Sequence, residues 1–142
     1  MSELVTPTDL KRIADEIEAR KARETIEKMR KLEADQDELH RAFIERDIRP
    51  DVNERITTAV RRAAENGQHE IQALKFPATW TNDRGRRINN LEEDWPDSLE
   101  GFAKRSYEFY VKDLQPLGYK IRAEVLSYND GVPGEVAIYL CW

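Results

Sequence analysis

Glycine is missing from the first 49 residues; proline occurs there once, at Pro7, and Phe43 is their only aromatic side chain. Everything from Pro50 onward differs: it holds all six glycines, the remaining prolines and eleven of the twelve aromatic rings. Two physically different objects are expected, a helical arm over residues 1–49 and an α/β domain over 50–142. Cysteine appears once, as Cys141, so an intrachain disulfide is excluded and the fold is expected to suit a reducing cytoplasm. No apolar run nears the ~18 residues of a membrane span, and the basic-then-apolar pattern of a secretion signal is not found, so no membrane partner is expected. Twenty-three basic against 28 acidic residues leave a net charge of -5, which argues against whole-surface attraction to nucleic acid. Charged residues make up 36% of the chain, and mean hydropathy is -0.78, near the polar end of what still folds.

Chemistry is equally sparse. Two histidines and one cysteine cannot build a zinc site from nitrogen and sulfur alone. His40 follows Asp37 at helical spacing, but His69 has no matching acid, so a solvated histidine is the expected reading and no metal or other cofactor is assigned. No G-x-S-x-G elbow surrounds Ser98, Ser106 or Ser127, and Cys141 has no evident activating base. Gly131 and Gly134 lie between strand patterns and read as turn residues, not a phosphate loop. No catalytic residue is assigned, and a non-enzymatic role is expected.

What is present is patterning. Thr6, Pro7 and Asp9 form a helix start, followed by apolar residues at Leu10, Ile13, Ile17, Ile26, Met29, Leu32, Leu39 and Phe43, a helical spacing. Arg20 and Glu24 interrupt the seam between Ile17 and Ile26, so a regular coiled coil is not expected; one long helix or a helical hairpin bent near Ala34–Glu38 satisfies the pattern. Glu16 with Arg20, Glu24 with Lys28 and Glu27 with Lys31 are spaced for i,i+4 ion pairs. Asp51 and Glu54 open a second helix whose face is Val52, Ile56, Ala59, Val60, Ala63 and Ala64, closed by Gly67. Residues 69–76 read as a strand covered on both sides, 79–97 as a loop, and 99–114 as a helix capped by Asp97 or Ser98.

Tyr119–Val125 and Val136–Trp142 alternate as the two strands of a hairpin. The expected fold is α+β, in the order α-α-β-α-β-β: the arm, then a three-stranded mixed sheet with two helices on one face. That arrangement would leave Leu126, Tyr128, Ala137, Tyr139 and Cys141 on the reverse face, an apolar surface that needs a cover. Self-association, favouring a dimer, is therefore expected through Ile13, Ile17, Ile26, Met29, Leu126, Tyr128 and Tyr139. A second expectation, a regulator, attaches to the segment TWTNDRGRRINN: Arg84, Arg86 and Arg87, flanked by Trp80 and Trp95, suit a phosphate-bearing ligand or nucleic acid by pairing guanidinium forks with flat rings. Glu92, Glu93 and Asp94 follow at once and could neutralise those arginines instead.

Overall fold

The computed structural model describes residues 3–142. The fold is α+β. A helix α1 (Pro7–Glu45) is followed by α2 (Val52–Glu65), strand β1 (Glu70–Pro77), a short helix α3 (Arg86–Asn89), α4 (Gly101–Phe109), and strands β2 (Lys120–Val125), β3 (Tyr128–Asn129), β4 (Val132–Pro133) and β5 (Glu135–Cys141). No described helix is long and apolar enough to cross a membrane. The chain divides into two compact units, one ending at Arg41 and the other running Ala42–Trp142.

From Pro7 onward the first unit is one continuous helix, without a break at Ala34–Glu38. Its start is the expected reciprocal box: Thr6 N–H donates to Asp9 Oδ2 at 3.3 Å and Asp9 N–H donates to Thr6 Oγ1 at 3.2 Å. At about 1.5 Å per residue, the 39 residues of α1 extend roughly 58 Å.

The second unit begins within the last turn of α1, eight residues before the composition change at Pro50, and Phe43 there packs, half-buried, against its core. Its ring lies 5.3 Å from Phe76, 4.8 Å from Trp80 and 6.2 Å from Phe102. Arg105 fixes the exit from that turn by donating from Nη1 to the carbonyls of Ile44 and Arg46, both at 2.7 Å. Gly101, at φ +57°, permits the approach, since a Cβ there would stand 2.7 Å from Ile44 Cα. Helix α2 ends on a paired turn: Gly67 N–H donates to Ala64 O at 3.0 Å and Gln68 N–H to Ala63 O at 2.9 Å, with Gly67 left-handed at φ +76°.

The sheet order is β1-β5-β2, and both pairings are antiparallel. This corrects the expected mixed sheet. The last strand inserts between the first two, so β1 and β2 run the same way but never touch, and no parallel crossover is required. The two-sided cover expected for β1 also fails, for a local reason. A bulge between Gln72 and Leu74 leaves Ala73 unpaired and shifts the alternation by one residue. Ile71, Leu74 and Phe76 thus stand opposite Leu140, Ile138 and Val136, and all six share the helix-covered face. Phe76, Ala78, Ile88, Leu99, Ala103, Val136 and Ile138 form the buried core there.

Helix α4 starts later than its apolar pattern implied. Trp95–Ser98 forms a separate tight turn in which Ser98 Oγ donates to Trp95 O at 2.7 Å. Leu99 and Glu100 are extended, and the helix begins at Gly101, so neither Asp97 nor Ser98 caps it. Beyond Phe109 the helix widens into a π turn over Tyr110–Leu114.

Candidate functional site

Four regions carry the residues singled out by sequence. The first is the surface of α1. No residue of this helix is buried. Leu32 is 64% exposed and Met29 59%, while Leu10, Ile13, Ile26 and Leu39 are each at least half exposed. Glu16, Glu24 and Glu27 do not close direct ion pairs with Arg20, Lys28 and Lys31, so i,i+4 pairing does not hold this helix together; long exposed side chains gain little from fixing one geometry. An isolated helix depends on length and propensity alone and is marginal in water. The stripe is unpaid apolar area.

The second region is the reverse face of the sheet, where the structure departs from expectation. Ala137, Tyr139 and Cys141 do share it, but the antiparallel register sets Arg122 and Gln72 beside Tyr139, Glu124 and Lys75 beside Ala137, and Glu70 and Lys120 beside Cys141. Arg122 binds Glu70 through two contacts, from Nε to Oε2 at 2.9 Å and Nη2 to Oε1 at 2.7 Å, and reaches Glu124 Oε2 from Nη1 at 2.6 Å. Its guanidinium carbon rests 4.0 Å over the Tyr139 ring. Tyr139 hydroxyl donates to Glu124 Oε1 at 3.3 Å, and Lys75 Nζ lies 3.1 Å from Glu135 Oε2. The face expected to be apolar is covered by a charged lattice built from the flanking strands. Leu126 and Tyr128 lie past the end of β2, and Tyr128 hydroxyl donates to Asn89 Oδ1 at 2.6 Å.

Within this lattice the ionisable groups are shifted by one another. The hydrogen bonds from Arg122 hold the Glu70 carboxyl below its ordinary range. Glu70 and Glu124 raise Arg122 through the same bonds. Burial pushes the Cys141 thiol up, and Glu70, whose Oε2 is 3.6 Å from Sγ, pushes it further. A thiol facing a carboxylate stays protonated at neutral pH, which is the opposite of what a nucleophile needs.

The third region is the segment 78–98. Its organiser is Asp83. Asp83 Oδ1 accepts from Gly85 N–H at 3.1 Å and Thr81 Oγ1 at 3.2 Å, and Oδ2 accepts from Arg87 N–H at 3.1 Å. Thr81 Oγ1 also accepts from Gly85 N–H at 2.7 Å, and Asn82 Nδ2 donates to Asp97 O at 2.8 Å. The segment expected to be an open loop is thus a laced turn, with Ile88 buried beneath it. Arg87 Nε lies 3.8 Å from Asp83 Oδ2 and 3.5 Å from Asp94 Oδ2, so acids of the same segment already neutralise it. Arg84 and Arg86 are exposed. Trp80 packs on Phe43, and Trp95 meets Tyr107 edge-on at 6.0 Å. Both tryptophan rings serve packing, in two separate aromatic groups.

The fourth region is an apolar cavity in the second unit between α2, the α4–π segment and the sheet, bordered by Arg46, Arg49 and Arg55. Sequence reasoning passed over it, because its arginines come from the segment joining α1 to α2 and from α2 itself, and no motif links them. Among the described residues no three His, Cys, Asp or Glu side chains gather as a metal-binding set. Comparison with known proteins finds no matching family model, no matching curated protein and no matching solved structure.

Proposed function

We propose that this chain is a non-catalytic assembly module whose α1 pairs with α1 of a second copy. The carrying observation is a 39-residue helix with no buried residue and an exposed apolar stripe. Such a helix gains its missing burial most economically from its own duplicate.

The stripe changes phase at Arg20, and past that point it is regular. Ala22, Thr25, Met29, Leu32, Gln36 and Leu39 follow the 3-4 spacing of a coiled-coil seam. Charge selects the direction. Residues 20–31 carry six basic and two acidic side chains, and residues 33–38 carry four acidic and no basic ones. A parallel pair in register would set the basic block on its own copy. An antiparallel pair with its twofold axis between Arg30 and Lys31 sets each basic block against an acidic one. The same register stacks Met29 on Leu32 and Ala22 on Leu39 of the other copy, and brings Lys28 beside Asp35 across the seam. The polar sheet face has no part in this reading.

Sedimentation of the full chain at micromolar concentration tests it. A dimer is expected, converted to monomer by Leu32→Glu, which keeps a good helix former at the position. Orientation is read separately in a Cys141→Ser background. Ala22→Cys and Leu39→Cys chains, mixed and oxidised, should form a covalent heterodimer, while Ala22→Cys alone should not self-link. A monomeric wild-type chain overturns the association, and self-linking of Ala22→Cys overturns the antiparallel register.

A further inference from the structure

The cavity of about 340 Å³ in the second unit is walled by Ile56 and Ala59 of α2, Phe102 and Tyr110 of the α4–π segment, and Ile121 and Ile138 of the sheet. Arg46, Arg49 and Arg55 also border it, and all three are exposed, which puts them at its mouth. No aspartate or glutamate lines it, in a protein whose net charge is -5. Arg49 pairs with Asp51, Nε to Oδ1 at 3.2 Å, and Arg46 rests 4.1 Å over the Phe102 ring. Arg55 has no acidic partner among the described residues. Ser106 lines the same space, and its hydroxyl has no hydrogen-bond partner among the described residues. The π turn that carries Tyr110 and Leu114 forms part of the wall, a helical irregularity often associated with binding sites.

We infer that this cavity binds a small amphipathic carboxylate, its apolar body between α2 and the sheet and its carboxylate at the arginine mouth. The interior offers area to an apolar group but few polar partners for water, and an apolar space of that kind favours an apolar guest. Its volume is a little over twice that of the ~150 Å³ void known to hold benzene, so the body is limited to roughly a dozen non-hydrogen atoms. At the mouth, guanidinium forks match a planar carboxylate through paired hydrogen bonds, whereas an ammonium would be repelled by three like charges. Ser106 supplies one neutral donor inside. The site lies wholly in the second unit and is independent of pairing through α1.

The test uses the full chain and three probes of one shape: 4-phenylbutyrate, its neutral amide, and 4-phenylbutylamine. Amide chemical shifts of Ile56, Phe102, Ser106 and Ile138 should move with saturable 4-phenylbutyrate binding. The amide should bind at least about tenfold more weakly, the scale of one charge-assisted hydrogen bond, and the amine not at all. Arg55→Gln should weaken the carboxylate about tenfold and leave the amide unchanged. Ala59→Phe should abolish binding by filling the space; if that variant does not fold, Arg55→Gln and the probe series decide the matter alone. Equal affinity for acid and amide, shifts confined to other residues, or no saturable shift would each overturn the inference.

Discussion

Gly101→Ala separates two costs that the structure places at one residue. The backbone there is left-handed at φ +57°, which costs a residue with a Cβ about 1–2 kcal/mol. The new Cβ would also stand 2.7 Å from Ile44 Cα and 3.0 Å from Phe43 O, both backbone atoms that cannot rotate away. Relieving this contact displaces the turn that carries Phe43 and lengthens the two 2.7 Å bonds from Arg105, a cost of about 1–3 kcal/mol by analogy with overpacked cores. Gly67→Ala is the internal control: φ is +76°, yet no atom lies within 4 Å of its added Cβ. Gly67→Ala should therefore lose about 1–2 kcal/mol and Gly101→Ala about 2–5. The gap corresponds to roughly 4–8 °C in Tm for each kcal/mol in a unit of this size. Thermal unfolding followed by circular dichroism gives the two values, and tryptophan emission should change in Gly101→Ala alone, because Trp80 packs on Phe43. Equal losses in the two variants would refute the close-approach argument and leave backbone conformation as the whole effect.

Two further outcomes concern the polar clusters. Because Glu70 is held below its ordinary value near 4.5, its contribution to stability is complete above that pH and fades as acid protonates the folded carboxyl; urea midpoints measured against pH should show Glu70→Gln flattening this acid limb, and the Cys141 thiol of that variant should alkylate faster at neutral pH. A variant with an unaltered acid limb would contradict the assignment. Asp83→Ala removes an acceptor for Gly85 N–H, Arg87 N–H and Thr81 and should cost about 2–3 kcal/mol, with trypsin cutting sooner at Arg84; stability and cleavage equal to wild type would show that the lacing is passive.

The two long helices and the final hairpin were legible because each carries a local periodic pattern. The box at Thr6 and Asp9, the stop at Gly67 and the alternation through Val136, Ile138 and Leu140 are all local signals, and all three hold. Strand β1 was misread because its period contains a slip: one unpaired residue, Ala73, makes Ile71 and Leu74 look like opposite faces when they share one. Sheet order escaped for another reason, since nothing in the strands before β5 announces that their common neighbour arrives last. The reverse face was misjudged by reading one strand at a time. Its character comes from Glu70 and Arg122, 52 residues apart in sequence and joined only across β5. In the arginine-rich turn, too, the contacts come from spatial arrangement: Asp83 and Asp94 stand against Arg87, while Arg84 and Arg86 stay exposed.

The central position of β5 has a consequence for how the protein is made. Strands β1 and β2 have no hydrogen-bonded neighbour except β5 within their sheet, and β5 spans residues 135–141. A ribosome that has released everything up to residue 134 has therefore exposed two solitary edges and an unfilled core, a species open to capture by chaperones or by other chains. Pairing of the sheet waits for its middle strand, which closes contacts up to 71 residues apart, between Glu70 and Cys141.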